Sequence, residues 1–99
     1  MSSVAEPVSI VAGYQFVDVS DGPALRQRCL DAAQPAGIKG TLLIAPEGIN
    51  FTLAGAPAAI TEWLQALRSD PRFASIEVKQ HQAHGLPFGR LRVKLKNEI

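Results

Sequence analysis

The apolar positions of this chain keep two rhythms. Residues 8–17, VSIVAGYQFV, are β-branched and aromatic and mostly apolar on both faces, which predicts a central strand. The turn residues of DVSDGP end it. Ser20 or Asp21 can cap a helix there, and Pro23 suits its first turn. Leu25, Cys29, Leu30 and Ala33 then recur at helical spacing until Pro35 and Gly37 stop the element. IKGTLLIA and INFTLAG read as two strands around Pro46-Glu47-Gly48. Pro46 fixes the entry to that reversal, and Gly48 can take the positive φ that a tight turn needs. Gly55-Ala56-Pro57 leads into a second helix, whose stripe of Ile60, Trp63, Leu64 and Leu67 lies on one face. Ser69-Asp70-Pro71 ends it. SIEVKQ is a further strand, HGLPFG a loop, and RLRVKLK a closing strand of strict alternation.

The order strand, helix, strand, strand, helix, strand, with one additional strand, predicts an α+β fold. It is a two-layer sandwich of ferredoxin-like or acylphosphatase-like type. Two helices cover one face of a largely antiparallel sheet of four to five strands. Either of the last two segments can be the fourth strand of that plan, the other pairing at an edge as a short hairpin partner. Residues 1–7 are expected to be a flexible N-terminus and residues 8–99 the domain.

Composition narrows this picture. A chain of 99 residues with 46% hydrophobic content builds one compact domain with a modest core. One cysteine permits no internal disulfide, which fits a reducing, cytoplasmic setting. No apolar run is long enough to span a membrane, and MSSVAEP is not a signal peptide. Net charge is +1 but uneven: residues 1–71 carry net −3 and residues 72–99 carry net +4. That asymmetry points to an anionic partner for the C-terminal part.

In the closing strand, alternation places Arg90, Arg92, Lys94 and Lys96 on one face and Leu91, Val93 and Leu95 on the other. Lys79 joins the basic row if SIEVKQ pairs alongside. Such a row could track a phosphate backbone, or it could simply solubilise and protect an edge. Phe88 precedes it between Pro87 and Gly89, either to stack on a base or to plug the sheet edge. Glu47, Gly48 and Asn50 form the remaining candidate site, with a purely structural turn as the alternative. His81 and His84 match no zinc spacing, and no metal site is expected. Cys29 and Trp63 belong to the core, and no phosphate loop or nucleophile elbow is present. The loop DVSDGPA holds two aspartates and no arginine, which disfavours an acylphosphatase-like anion cradle. No catalytic residue is assigned.

The ordered set GIKGTLLIAPEGINFTLAG, LRSDPRF, IEVKQ and LPFGRLRVKLKNEI resembles the N-terminal domain of the rhodanese-related tRNA uridine hydroxylases. The family turn reads GINGT where this chain has GINFT, so Phe51 stands in place of a small residue while Asn50 is kept. The resemblance implies a ferredoxin-like domain ahead of a rhodanese domain, in a protein that hydroxylates the wobble uridine of tRNA with oxygen. It implies that the active cysteine belongs to the rhodanese domain and that Cys29 does not inherit its role. This chain is then expected to be a fragment and an accessory domain without a cofactor of its own. Its partners would be tRNA, through Lys79, Phe88, Arg90, Arg92, Lys94 and Lys96, and the downstream rhodanese domain, through Glu47, Gly48 and Asn50. A scaffold without RNA contact is the alternative, and a small-molecule acylphosphatase a remote one.

Overall fold

The computed structural model describes residues 7–97. Five strands, β1 (Pro7–Phe16), β2 (Lys39–Ala45), β3 (Gly48–Gly55), β4 (Val78–His84) and β5 (Leu91–Leu95), form one sheet in the order β4-β1-β3-β2-β5. Two helices, α1 (Gly22–Ala33) and α2 (Pro57–Arg68), complete a two-layer α+β sandwich. The flexible N-terminus expected over 1–7 lies outside the described residues, except for Pro7, which already pairs with His84. No helix among the described residues is long and apolar enough to cross a membrane.

The sheet registers explain which side chains enter the core. Val11 faces Leu53, Gly13 faces Phe51, and Phe51 faces Leu42, so these positions share one face. That face is sealed by Leu25, Cys29 and Ala33 of α1 and by Ile60, Trp63, Leu64 and Leu67 of α2. Phe51 and Trp63 meet edge to face with ring centroids 5.1 Å apart, a favoured aromatic geometry. Phe51, at the position where the family pattern has a small residue, therefore points into the core rather than toward a ligand. Gly13 makes the room: a Cβ there would come within 2.8 Å of Phe51 Cζ and 2.9 Å of Val78 Cγ1.

The last two strands depart from the hairpin arrangement. β4 pairs antiparallel with β1 and is the fourth strand of the ferredoxin-like plan. β5 runs parallel to β2 at the opposite edge. Four strand spacings, about 19 Å, separate those edges. Residues 85–90 must bridge them, and seven backbone steps reach only about 24 Å. The segment read as a loop is a loop, a strap that joins the two edges with bends at Gly85, Pro87, Gly89 and Arg90.

One local expectation is corrected, and the expected reversal at Pro46-Glu47-Gly48 is borne out. Asp21 occupies the cap position of α1, but its carboxylate makes no cap bond because Arg72 takes it. Pro46-Glu47 is a turn tied to the chain beyond β1: the carbonyls of Glu47 and Pro46 accept from the amides of Val17 and Val19, both at 2.9 Å. Gly48 has φ +150°, and any Cβ there would collide with the Gln15 carbonyl oxygen, so glycine is required.

Candidate nucleic-acid interface

The side of the sheet away from the helices carries the candidate chemistry. β1 contributes Tyr14 and Phe16, 64% and 66% exposed, with ring centroids 5.7 Å apart in an edge-to-face pair. The sequence leaves their face open, because β1 is apolar on both sides. The register settles it, since Tyr14 faces Asn50, which is exposed, and Asn50 faces Leu43 and then Lys94. The next row across the sheet reads Lys79, Ala12, Thr52, Thr41, Arg92. A third row places His81, Ile10, Ala54 and Lys39 together.

Lys79 does not lie beside the closing strand, because β4 and β5 occupy opposite edges. It does lie on the same face as Arg92 and Lys94, so the cations rim the open face from both sides. Arg90 and Lys96 are exposed just outside β5, not in it, though backbone bonds extend the pairing to each: Gly40 N–H donates to Arg90 O and Lys96 N–H to Ile44 O. Phe88 is half-buried in the strap. Glu47 is exposed at the turn, one end of the sheet, while Asn50 is on the open face beside Tyr14. Lys39 and Thr52 were not singled out from the sequence, since only the register brings them to this face.

A shallow depression of about 400 Å³ lies on this face, lined by Ala12, Tyr14, Asn50, Thr52, Glu77 and Lys79 among others. Ala12 and Thr52 are the small side chains in its lining on this face. A larger hollow of about 520 Å³ lies between α1 and α2, lined by Cys29, Trp63, Leu67 and an ionic cluster. In that cluster Arg72 Nη1 donates to Asp21 Oδ1 at 2.7 Å. Arg72 Nη2 donates to Asp70 Oδ2 at 2.7 Å, and Nε to Asp70 Oδ1 at 3.1 Å. Arg28 stands 3.5 Å from both carboxylates. The hydrogen bonds from Arg72 hold both aspartates below the usual carboxylate range and push the guanidinium's own pKa up. Two arginines and two aspartates cancel, so this hollow offers no anion site. Burial pushes the Cys29 thiol up to about 11, leaving it protonated and inert at neutral pH. The cluster also explains LRSDPRF: Asp70 accepts from the Arg72 amide at the head of a 3-10 turn, Pro71–Phe73, and Phe73 fills the core.

The family described as UPF0176 acylphosphatase like domain matches residues 8–99. The chain belongs to that family. Among its relatives, a protein of Bordetella avium (strain 197N) named tRNA uridine(34) hydroxylase is 49% identical over 89 residues, covering 90% of this chain and 37% of that protein. One of the same name from Variovorax paradoxus (strain S110) is 47% identical over 90% of this chain and 34% of its own length. A third, from Gluconobacter oxydans (strain 621H), is 43% identical over the whole of this chain and 32% of its own length. The chain thus spans about a third of the curated relatives it matches. Solved structures share the fold. An acylphosphatase from Coxiella burnetii superposes with a TM-score of 0.60 at 15% identity, covering 95% of this chain and all of that one. The dark-state structure of BlrB, a BLUF protein, gives 0.69 at 22% identity over 96% of this chain and 76% of its own. This member of the UPF0176 family therefore has the acylphosphatase-like architecture.

Proposed function

We propose that this chain is the tRNA-contacting accessory domain of a cytoplasmic tRNA uridine hydroxylase, which grips RNA on its open sheet face. The hydroxylation, an oxygen-dependent 5-hydroxylation of the wobble uridine, is assigned to the rhodanese-type part of the longer protein. The observation that carries this reading is the open face itself. Exposed Tyr14 and Phe16 stand on inner strand β1 toward the turn end of this face, and Lys79, Lys39, Arg92 and Lys94 lie on the same face, on its two edge strands and on β2. RNA-binding sheets use this combination of stacking and phosphate attraction. The names of the relatives supply the substrate class. An acylphosphatase role is disfavoured, because the loop before α1 presents Asp18 and Asp21, and the nearest guanidinium, Arg72, is committed to two carboxylates.

The test is affinity for tRNA across a salt series, comparing wild type with Lys79→Ala/Arg92→Ala/Lys94→Ala. Each lost phosphate contact lowers the slope of log K against log salt by roughly 0.7–0.9. We expect weaker binding and a slope reduced by about two. Equal affinity and slope in both proteins would reject the face as the RNA surface.

A second reading concerns Glu47, Gly48 and Asn50 as a contact to the neighbouring domain. It is favoured by the exposure of Glu47 on a turn held rigid by the Val17 and Val19 amides. In the full-length enzyme, Glu47→Ala should then lower hydroxylation without lowering tRNA affinity. Unchanged activity would remove Glu47 from that role.

A further inference from the structure

We infer that the depression beside Tyr14 is a subsite for one unpaired ribonucleotide of an RNA loop, which deepens and rests on the RNA reading above. Tyr14 supplies the stacking plane, and its ring is open to solvent although β1 is a central strand. The strand beside it places Asn50 directly opposite Tyr14, about 5 Å away between Cα atoms. The Asn50 amide offers a donor and an acceptor to a base edge, and the Thr52 hydroxyl offers one of each. Lys79 pairs with Ala12, two residues from Tyr14, which makes Lys79 and Tyr14 diagonal neighbours about 7–8 Å apart. Both side chains rise from the same face, where one can stack on a base while the other reaches that nucleotide's phosphate. Ala12 lines the hollow, and a larger side chain there would take up part of it.

Glu77, on the rim, carries the acceptor that a ribose 2′-hydroxyl would use. The occupant is single-stranded RNA because the cations stand on both edge strands of the face while the inner strands bring Tyr14, Asn50 and Thr52 to it. A duplex presents phosphates and buries its base planes, whereas an unpaired loop nucleotide presents both at once. Phe16, packed edge-on against Tyr14, extends the platform toward the turn.

The experiment measures binding of unmodified tRNA, a short single-stranded RNA and the DNA of the same sequence. The proteins are wild type, Tyr14→Ala, Tyr14→Phe and Arg92→Ala/Lys94→Ala. Tyr14 is exposed, so Tyr14→Ala keeps the fold, and matching melting curves check this. We expect Tyr14→Ala to lose about 5- to 100-fold in affinity with its salt slope unchanged. Tyr14→Phe should bind like wild type, and RNA should bind more tightly than DNA. Wild-type affinity in Tyr14→Ala, together with weakened binding by Arg92→Ala/Lys94→Ala, would overturn the subsite and leave the RNA reading standing. A salt slope reduced in Tyr14→Ala as in the charge variant would overturn it likewise. Absence of tRNA binding by wild type would overturn both.

Discussion

Replacing Arg72 by methionine keeps most of the side-chain volume and removes its charge and all its donors. Four hydrogen bonds to carboxylate oxygens are lost, at 2.7 and 3.2 Å to Asp21 and at 2.7 and 3.1 Å to Asp70. The two halves differ in weight. Asp21 is 36% exposed, so water screens its pair and its contribution stays near that of a surface bridge, about 0.5 kcal/mol. Asp70 is 19% exposed and Arg72 24%, so their bidentate pair lies between surface and buried cases, about 1.5 kcal/mol. The guanidinium also sits 5.3 Å from the Phe73 ring centroid, which adds about 0.5 kcal/mol.

The expected cost is therefore about 2.5 kcal/mol at pH 7, or roughly 10–15 °C in Tm for a chain this size. Both aspartates have folded pKa values lowered from 3.8. A depressed carboxylate stabilises the fold above its unfolded pKa and loses that effect as pH falls through the folded value. The difference between Arg72→Met and wild type should hold steady from neutral pH and shrink below 3.8. Urea unfolding at a series of pH values measures it. A variant within about 0.5 kcal/mol of wild type at pH 7, or a gap undiminished at about pH 2, would show that the Arg72 bonds do not stabilise the fold in this way.

Other substitutions address the sheet and the core. Gly48→Ala should cost about 3 kcal/mol or more, because its Cβ meets the Gln15 carbonyl where β3 leaves the turn; a near-neutral result by chemical denaturation would contradict the register. Gly13→Ala should cost about 1–3 kcal/mol by crowding Phe51 and Val78. Adding Phe51→Leu should return part of that loss in a double-mutant cycle, and strict additivity would argue against the contact. Cys29, with its thiol pushed up to about 11, should react with a thiol reagent only as fast as the protein opens. Rapid labelling under native conditions would contradict its burial.

Much of the architecture was legible because the periodicities are local. The stripe Ile60, Trp63, Leu64, Leu67 and the alternation in β5 depend only on neighbours a few residues away. The destination of β5 was not legible, since short connections usually join adjacent strands and residues 85–90 instead cross the sheet. Nor could the sequence assign Tyr14 and Phe16 to a face, because Ile10, Val11 and Ala12 make β1 apolar on both sides and only pairing with β3 decides. Arg72 counted as part of a basic C-terminal excess, yet its charge is spent on Asp21, 51 residues earlier, and on Asp70. The cations left for a partner are those around the open face and at the ends of β5, a smaller set with a clearer position.

RNA is proposed to meet the open face of the sheet and not the helices. Backbone amide shifts of the isotopically labelled chain, recorded while an anticodon stem-loop RNA is added, test this directly. Perturbations are expected at Ala12, Tyr14, Asn50, Thr52, Lys79 and Arg92, with the amides of α1 and α2 still. Shifts confined to α1, α2 and the Arg72 cluster, or none at low salt, would contradict it.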